Sequence, residues 1–140
     1  MRYHSQNPAD SRMHRVSTEG ADKRVAEHFV LGAFQCTDGT DILLLHPRLV
    51  ALCQAIRDRV GGPVYVNSGF RTHAFNRQIG GAPGSKHLIG GAGDLWSDVV
   101  TPEEIARIAE RLGAGGIGRY DTFTHVDVIG RWRRWNNRAA

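Results

Sequence analysis

Three residues of this chain, His87, Asp94 and His125, combine type and spacing in a way that could do chemistry. A glycine-rich stretch, Gly90-Gly91-Ala92-Gly93, separates the first two and lets the chain fold back so that both side chains face one point. Asp94 stands where a strand is predicted to begin, beside Leu95 and Trp96, a costly place for a charge without a partner. His125 lies in the alternating run Thr124-His125-Val126-Asp127-Val128, and on a strand His125 and Asp127 project from the same face. Two imidazoles and a carboxylate on separate rigid elements make a three-ligand zinc site with a fourth position open to water. The plain alternative is two ordinary polar histidines and an aspartate capping a turn. The spacing matches neither HExxH nor CxxC, so the residues by themselves leave both readings open.

The elements that must position these residues are legible in outline. From Pro47 the apolar residues Leu49, Cys53, Ile56 and Val60 recur at helical spacing, and Gly61-Gly62-Pro63 stops the helix. Val64-Tyr65-Val66 reads as a buried strand leaving through Asn67-Ser68-Gly69. A short helix with Thr72 as its cap follows within Phe70–Ile79, and then a glycine-rich loop from Gly80 to Gly93. Thr101, Pro102 and Glu104 open the clearest helix, with Ile105, Ile108, Ala109 and Leu112 as its buried stripe and Gly113 as its stop. Two short strands around Gly116–Tyr120 and Thr124–Ile129 enclose a turn at Asp121. The predicted class is α+β: one domain, residues 26–140, with a small mostly antiparallel sheet packed by two or three helices. Residues 1–25 are polar and aperiodic and read as an N-terminal arm, ordered only if it docks.

Composition narrows the field further. The chain has 140 residues, 41% hydrophobic and 23% charged, which suits one globular domain, and no apolar run approaches the ~20 residues of a membrane span. Two cysteines, Cys36 and Cys53, exclude a disulfide-dense mini-domain; they could pair, but Cys53 falls on a helix's apolar stripe and suits packing better. The net charge of +4 favours anionic partners without choosing among them. Residues 1–16 carry His4, Asp10, Arg12, His14 and Arg15 and lack the apolar core of a secretory signal.

The pieces Ser68-Gly69-Phe70-Arg71, Ser85-x-His87-x-x-Gly90-x-Ala92-x-Asp94 and Gly115-Gly116-Ile117-Gly118-x-Tyr120 through His125-Val126-Asp127 occur in order. Together they resemble the family of zinc D-Ala-D-Ala carboxypeptidases and murein endopeptidases, in its small single-domain branch, from about Glu27 to Trp135. The resemblance implies a Zn2+ held by His87, Asp94 and His125. It implies hydrolysis of peptidoglycan stem peptides with a metal-activated water as nucleophile. It also implies that Arg71 steadies the substrate carbonyl or carboxylate, with Phe70 in place of the usual tyrosine, and that Ser85 hydrogen-bonds near the terminal carboxylate. A guanidinium suits that task because it offers a planar fork to an anion. Related branches place an acidic residue three positions before the last zinc histidine, where this chain has Thr122. Asp127 is then the first candidate for general base and Asp121 the second, while Asp127 equally suits orienting a metal ligand.

Two readings from other classes compete: a non-catalytic zinc-binding module recognising cell-wall peptide, and a basic nucleic-acid-binding domain built on the tail Arg131–Trp135, whose affinity would fall steeply with salt. The tail reads more simply as a charged edge with tryptophans packed back on the core, so no nucleic-acid partner is expected. The expected place of action is the bacterial cell wall, as in a phage lysis or virion protein. The oligomeric state is left open. The zinc reading predicts about one zinc per chain in the purified protein. Elemental analysis should find that zinc lost in His87→Ala.

Overall fold

Each of the two long helices opens on a proline with a capping side chain before it. In the computed structural model, which describes residues 2–139, the order is β1 (Arg12–Arg15), α1 (Val16–Glu19), β2 (Arg24–Ala26), β3 (Phe29–Val30), β4 (Ile42–Leu45) and α2 (Pro47–Val60). Then come β5 (Tyr65–Ser68), α3 (His73–Gln78), a 3-10 turn at Lys86–Ile89, β6 (Ala92–Trp96), α4 (Pro102–Leu112), β7 (Gly116–Arg119), β8 (Thr124–Asp127) and β9 (Arg133–Asn136). Thr101 caps α4 by accepting from the Glu104 amide, and Thr72 caps α3 by accepting from the Phe75 amide. His46, which has no obvious partner in sequence, caps α2. Its Nδ1 accepts from the Arg48 amide, and its Nε2 donates to the Asn7 carbonyl. No helix among the described residues is long and apolar enough to cross a membrane.

The main sheet has the order β5-β6-β8-β7-β9, antiparallel except for the β7–β9 pair. The fold is therefore α+β with a mostly antiparallel sheet. Register does the positioning. Ser68 pairs with Asp94, Asp94 with His125, His125 with Gly118 and Gly118 with Trp135, so one row crosses all five strands. Directly opposed residues share a face, so this row gathers its side chains on one side of the sheet. The other side carries Leu95, Val126 and Ile117, all fully buried beneath α4. Ile105, Ala106 and Ala109 of α4 and Leu49, Leu52, Cys53 and Ile56 of α2 complete that core. Cys36 and Cys53 are both buried free thiols, and burial pushes the Cys53 thiol up to about 12.

Two elements differ from the expectations. The strand read as buried over residues 64–66 runs from Tyr65 to Ser68 along the sheet edge, with Tyr65 exposed and stacked against Trp96. Its β-branched and aromatic composition reports a strand but not which strand has a free edge. The N-terminal segment is docked throughout. β1 pairs antiparallel with β4, Ser11 Oγ donates to the Ile89 carbonyl, and the Ser5 and Gln6 amides donate to the carbonyls of Gly130 and Val128. These ties are made by the backbone and by small polar groups, which leave no apolar periodicity to read.

The turn after the Lys86–Ile89 helix is set by Gly90, which is left-handed at φ 71°. A Cβ there would lie 2.2 Å from the Leu44 carbonyl oxygen, so the residue needs both the conformation and the space of glycine. Gly90→Ala is expected to destabilise the protein by clearly more than ~1 kcal/mol, measured by urea unfolding.

Candidate metal centre

Asp94 occupies the middle of β6 and is only 4% exposed. A carboxylate there needs partners, and three side chains converge on it. His87 Nε2 lies 3.3 Å from Asp94 Oδ1, His125 Nδ1 lies 3.2 Å from the same oxygen, and Arg71 Nη2 lies 3.4 Å from Oδ2. One ligand atom from each of His87, Asp94 and His125 falls within 4.8 Å of the others, and all three residues are buried. The two imidazoles meet edge to face, with ring centres 5.1 Å apart. These are the three residues singled out in the sequence; sheet register brings Asp94 and His125 together, and the 3-10 turn brings His87.

The donor set fits a divalent ion such as zinc. The outer nitrogen of each imidazole is fixed by an acceptor: His87 Nδ1 donates to the Gly69 carbonyl at 2.7 Å, and His125 Nε2 donates to Asp127 Oδ2 at 2.8 Å. That assigns the tautomers and leaves His87 Nε2 and His125 Nδ1, the nitrogens nearest Asp94, to offer lone pairs. Nitrogen, nitrogen and carboxylate oxygen with one side open is the chemistry of a catalytic zinc site.

The open side faces a cavity of about 530 Å³ lined by Arg71, Ser85, Lys86, Tyr120, Arg133 and Trp135 among others. Trp135 packs on His125 at 4.9 Å between ring centres, across a strand position where a Cβ on Gly118 would lie 2.4 Å from the indole. Its Nε1 donates to Tyr120 Oη at 2.9 Å, which leaves the phenol proton free to donate elsewhere.

The residues expected to act on substrate are placed differently from one another. Arg71 is 15% exposed, and all three of its nitrogens are engaged, by Ser68 Oγ, Asn76 Oδ1 and Asp94. Ser85 caps the 3-10 turn, its Oγ accepting from the His87 amide, and lies at the cavity wall. Neither candidate base presents a free carboxylate to the cavity. Asp127 is fully buried, with Oδ2 on His125 and Oδ1 on Arg133 and the Gly116 amide. Asp121 is exposed outside the cavity lining and accepts from the Ala139 amide. Of the basic tail, Arg134 pairs with Glu110 and with the carbonyls of Ala114 and Gly115, and Trp132 is 67% exposed with the Arg134 guanidinium over its ring. Sequence reasoning gave no role to Tyr120, Trp135 or Arg133 at the site. The pairing of Arg133–Asn136 with Gly116–Arg119 shows that the tail returns as a fifth strand.

A sequence profile for the family described as Peptidase M15 matches residues 17–127. The chain belongs to the peptidase M15 family. Within it, this M15 chain is 39% identical over 90 residues to the zinc D-Ala-D-Ala carboxypeptidase of Streptomyces albus G. The match covers 59% of this chain and 34% of the relative, so it spans about a third of the relative's length. The family and the His-Asp-His set agree on Zn2+ as the metal.

Electrostatics make metal uptake a proton exchange. Burial opposes charge on His125, but hydrogen bonds to Asp127 and Asp94 outweigh it and raise the imidazole to about 9. Burial likewise opposes ionisation of Asp94, yet His125 and His87 hold it well below the usual carboxylate range. The metal-free site at neutral pH is therefore an ionised Asp94 beside a protonated His125, with a proton standing where a cation would bind. Zinc binding at pH 7.5 is expected to release about one proton, read as the dependence of calorimetric heat on buffer ionisation enthalpy. In the metal-free protein the raised His125 value is a stabilising contribution, complete below pH ~6.5 and lost as the pH rises through about 9. The thermal midpoint should fall across that window, and His125→Gln should flatten the fall.

Proposed function

We propose that the protein is a zinc peptidase that hydrolyses peptidoglycan stem peptides at the bacterial cell wall. The observation that carries this reading is the convergence of His87 Nε2, His125 Nδ1 and the Asp94 carboxylate at the floor of a cavity rich in polar groups. The relative from Streptomyces albus G is a zinc D-Ala-D-Ala carboxypeptidase, which favours a stem peptide ending in D-Ala-D-Ala over an internal bond. What the ion supplies when bound is Lewis acidity toward a carbonyl oxygen and toward water.

The chain's own residues then divide the work. His87, Asp94 and His125 hold the ion. Arg71 orients Asp94 through Nη2, and is itself braced by Ser68 and Asn76. Asp127 acts as an orienting group: its bond to His125 Nε2 sets the ring so that Nδ1 points inward. Ser85 fixes the turn that presents His87. Tyr120, whose oxygen already accepts from Trp135, offers an O–H donor at the cavity wall.

Incubation with purified muropeptides, with and without a chelator, followed by mass analysis of the products, tests the reading. Loss of a terminal D-alanine that stops with chelator is expected; intact muropeptides would refute it. Asp127→Asn separates orientation from proton transfer. The orienting role predicts zinc affinity weakened ~10–100-fold in a chelator competition. Unchanged affinity with hydrolysis reduced ~100-fold would return Asp127 to the role of base.

A further inference from the structure

The cavity beside the metal centre holds three cationic side chains, Arg71, Lys86 and Arg133, against the two carboxylates Asp94 and Asp127. They are not equivalent. Arg71 has three of its five guanidinium N–H groups engaged by Ser68, Asn76 and Asp94, and its side chain is only 15% exposed, so it has less to offer an incoming anion than Arg133. Arg133 makes one side-chain bond among the described residues, from Nη2 to Asp127 Oδ1. Its Nε is buried without a partner, and the side chain is 38% exposed at the cavity.

The seat of Arg133 is built rather than incidental. A Cβ on Gly116 would lie 2.9 Å from Arg133 Nη2, and a Cβ on Gly130 would lie 2.9 Å from Nε, so glycines flank the guanidinium on both sides. Its backbone is held in β9, paired with Gly116 of β7, and the Arg133 amide donates to the Gly115 carbonyl. Asp127 in turn holds His125, so the guanidinium stands at a fixed remove from the ligand set: Arg133 to Asp127, Asp127 to His125. A cation seated in this way has lost its rotamer freedom before any ligand arrives. Lys86, by comparison, is a point charge on a flexible stem.

We propose that Arg133 is the specificity-determining residue that anchors the free terminal carboxylate of the substrate, through the Nη N–H groups that Asp127 leaves unspent. This rests on the peptidase reading above and deepens it, because a carboxylate held beside the metal centre selects terminal over internal bonds. Arg71 then serves Asp94, and the two arginines divide the ion and the substrate between them.

The zinc-loaded full chain is assayed on an N-acetylated stem peptide ending in D-Ala-D-Ala and on the same peptide amidated at its end. The wild type should prefer the free acid. Arg133→Met, assayed at saturating zinc, should raise KM for the free acid ~10-fold or more relative to the amide, so that the two peptides converge. Arg133→Lys should recover the preference only in part, since one ammonium serves two anions poorly. An undiminished acid preference in Arg133→Met overturns the proposal. So does an equal fall in kcat for both peptides together with weakened zinc, the signature of a purely structural role. Should Arg133→Met fail to fold, Arg133→Gln, whose side-chain amide can still donate toward Asp127 Oδ1 but offers no guanidinium, serves for the same comparison. Calorimetric titration of N-acetyl-D-alanine against its amide reads the anchor without turnover. Tighter binding of the acid, lost in the variants, is expected, and equal affinities in the wild type overturn the proposal. If the wild type leaves both peptides and all muropeptides intact, the peptidase reading fails instead, and the titration still decides Arg133.

Discussion

One buried negative charge organises this molecule. Taking a carboxylate out of water costs several kcal/mol, and Asp94 sits in the second strand of a five-stranded sheet with almost no exposure. Every neighbouring element contributes something that offsets that cost. β8 brings His125 opposite it by register, the 3-10 turn brings His87, and the loop after β5 brings Arg71. Without those three, Asp94 would be an uncompensated charge in a core. With them it is a preformed hole for a cation, because the groups that solvate a carboxylate also surround the space beside it.

The second carboxylate, Asp127, extends the same logic outward. It is fully buried, and it is balanced by His125 on one oxygen and by Arg133 and a backbone amide on the other. Alternating charges thus run from Arg71 through Asp94 and His125 to Asp127 and Arg133. Such a chain fixes ring orientation tightly, because moving any member leaves its neighbour unpaired. It also explains how the site side of the sheet can be so polar while aliphatic side chains fill the centre of the opposite side. The polar row is satisfied within itself, and Leu95, Val126 and Ile117 carry the packing onto α4.

Much of this was legible from residue types. The proline-opened helices, the capping threonines and the His87–Asp94–His125 set all follow from local rules or short motifs. What was not legible depends on long-range register. Nothing near Trp135 announces that it lies beside Gly118 and against His125. Nothing near Arg71 shows that three of its donors are engaged by Ser68, Asn76 and Asp94. Asp127 was read with two roles because strand periodicity places it on the His125 face. Only its burial and its bond to Nε2 show how its oxygens are used. The N-terminal segment escaped for another reason: its order comes mostly from backbone pairing and small polar groups, which leave no apolar periodicity.

That N-terminal segment also constrains how the chain reaches its native state. The Tyr3 carbonyl accepts from the Gly115 amide, and the Ser5 and Gln6 amides bind the carbonyls of Gly130 and Val128, so residues 3–6 are tied to residues more than a hundred positions later. Loop-closure entropy grows only logarithmically with length, so the tie costs little at equilibrium, but contacts so distant in sequence slow folding. During synthesis, residues 3–6 must wait until Gly130 has emerged before they find all their partners. The sheet end that they cover stays open until then.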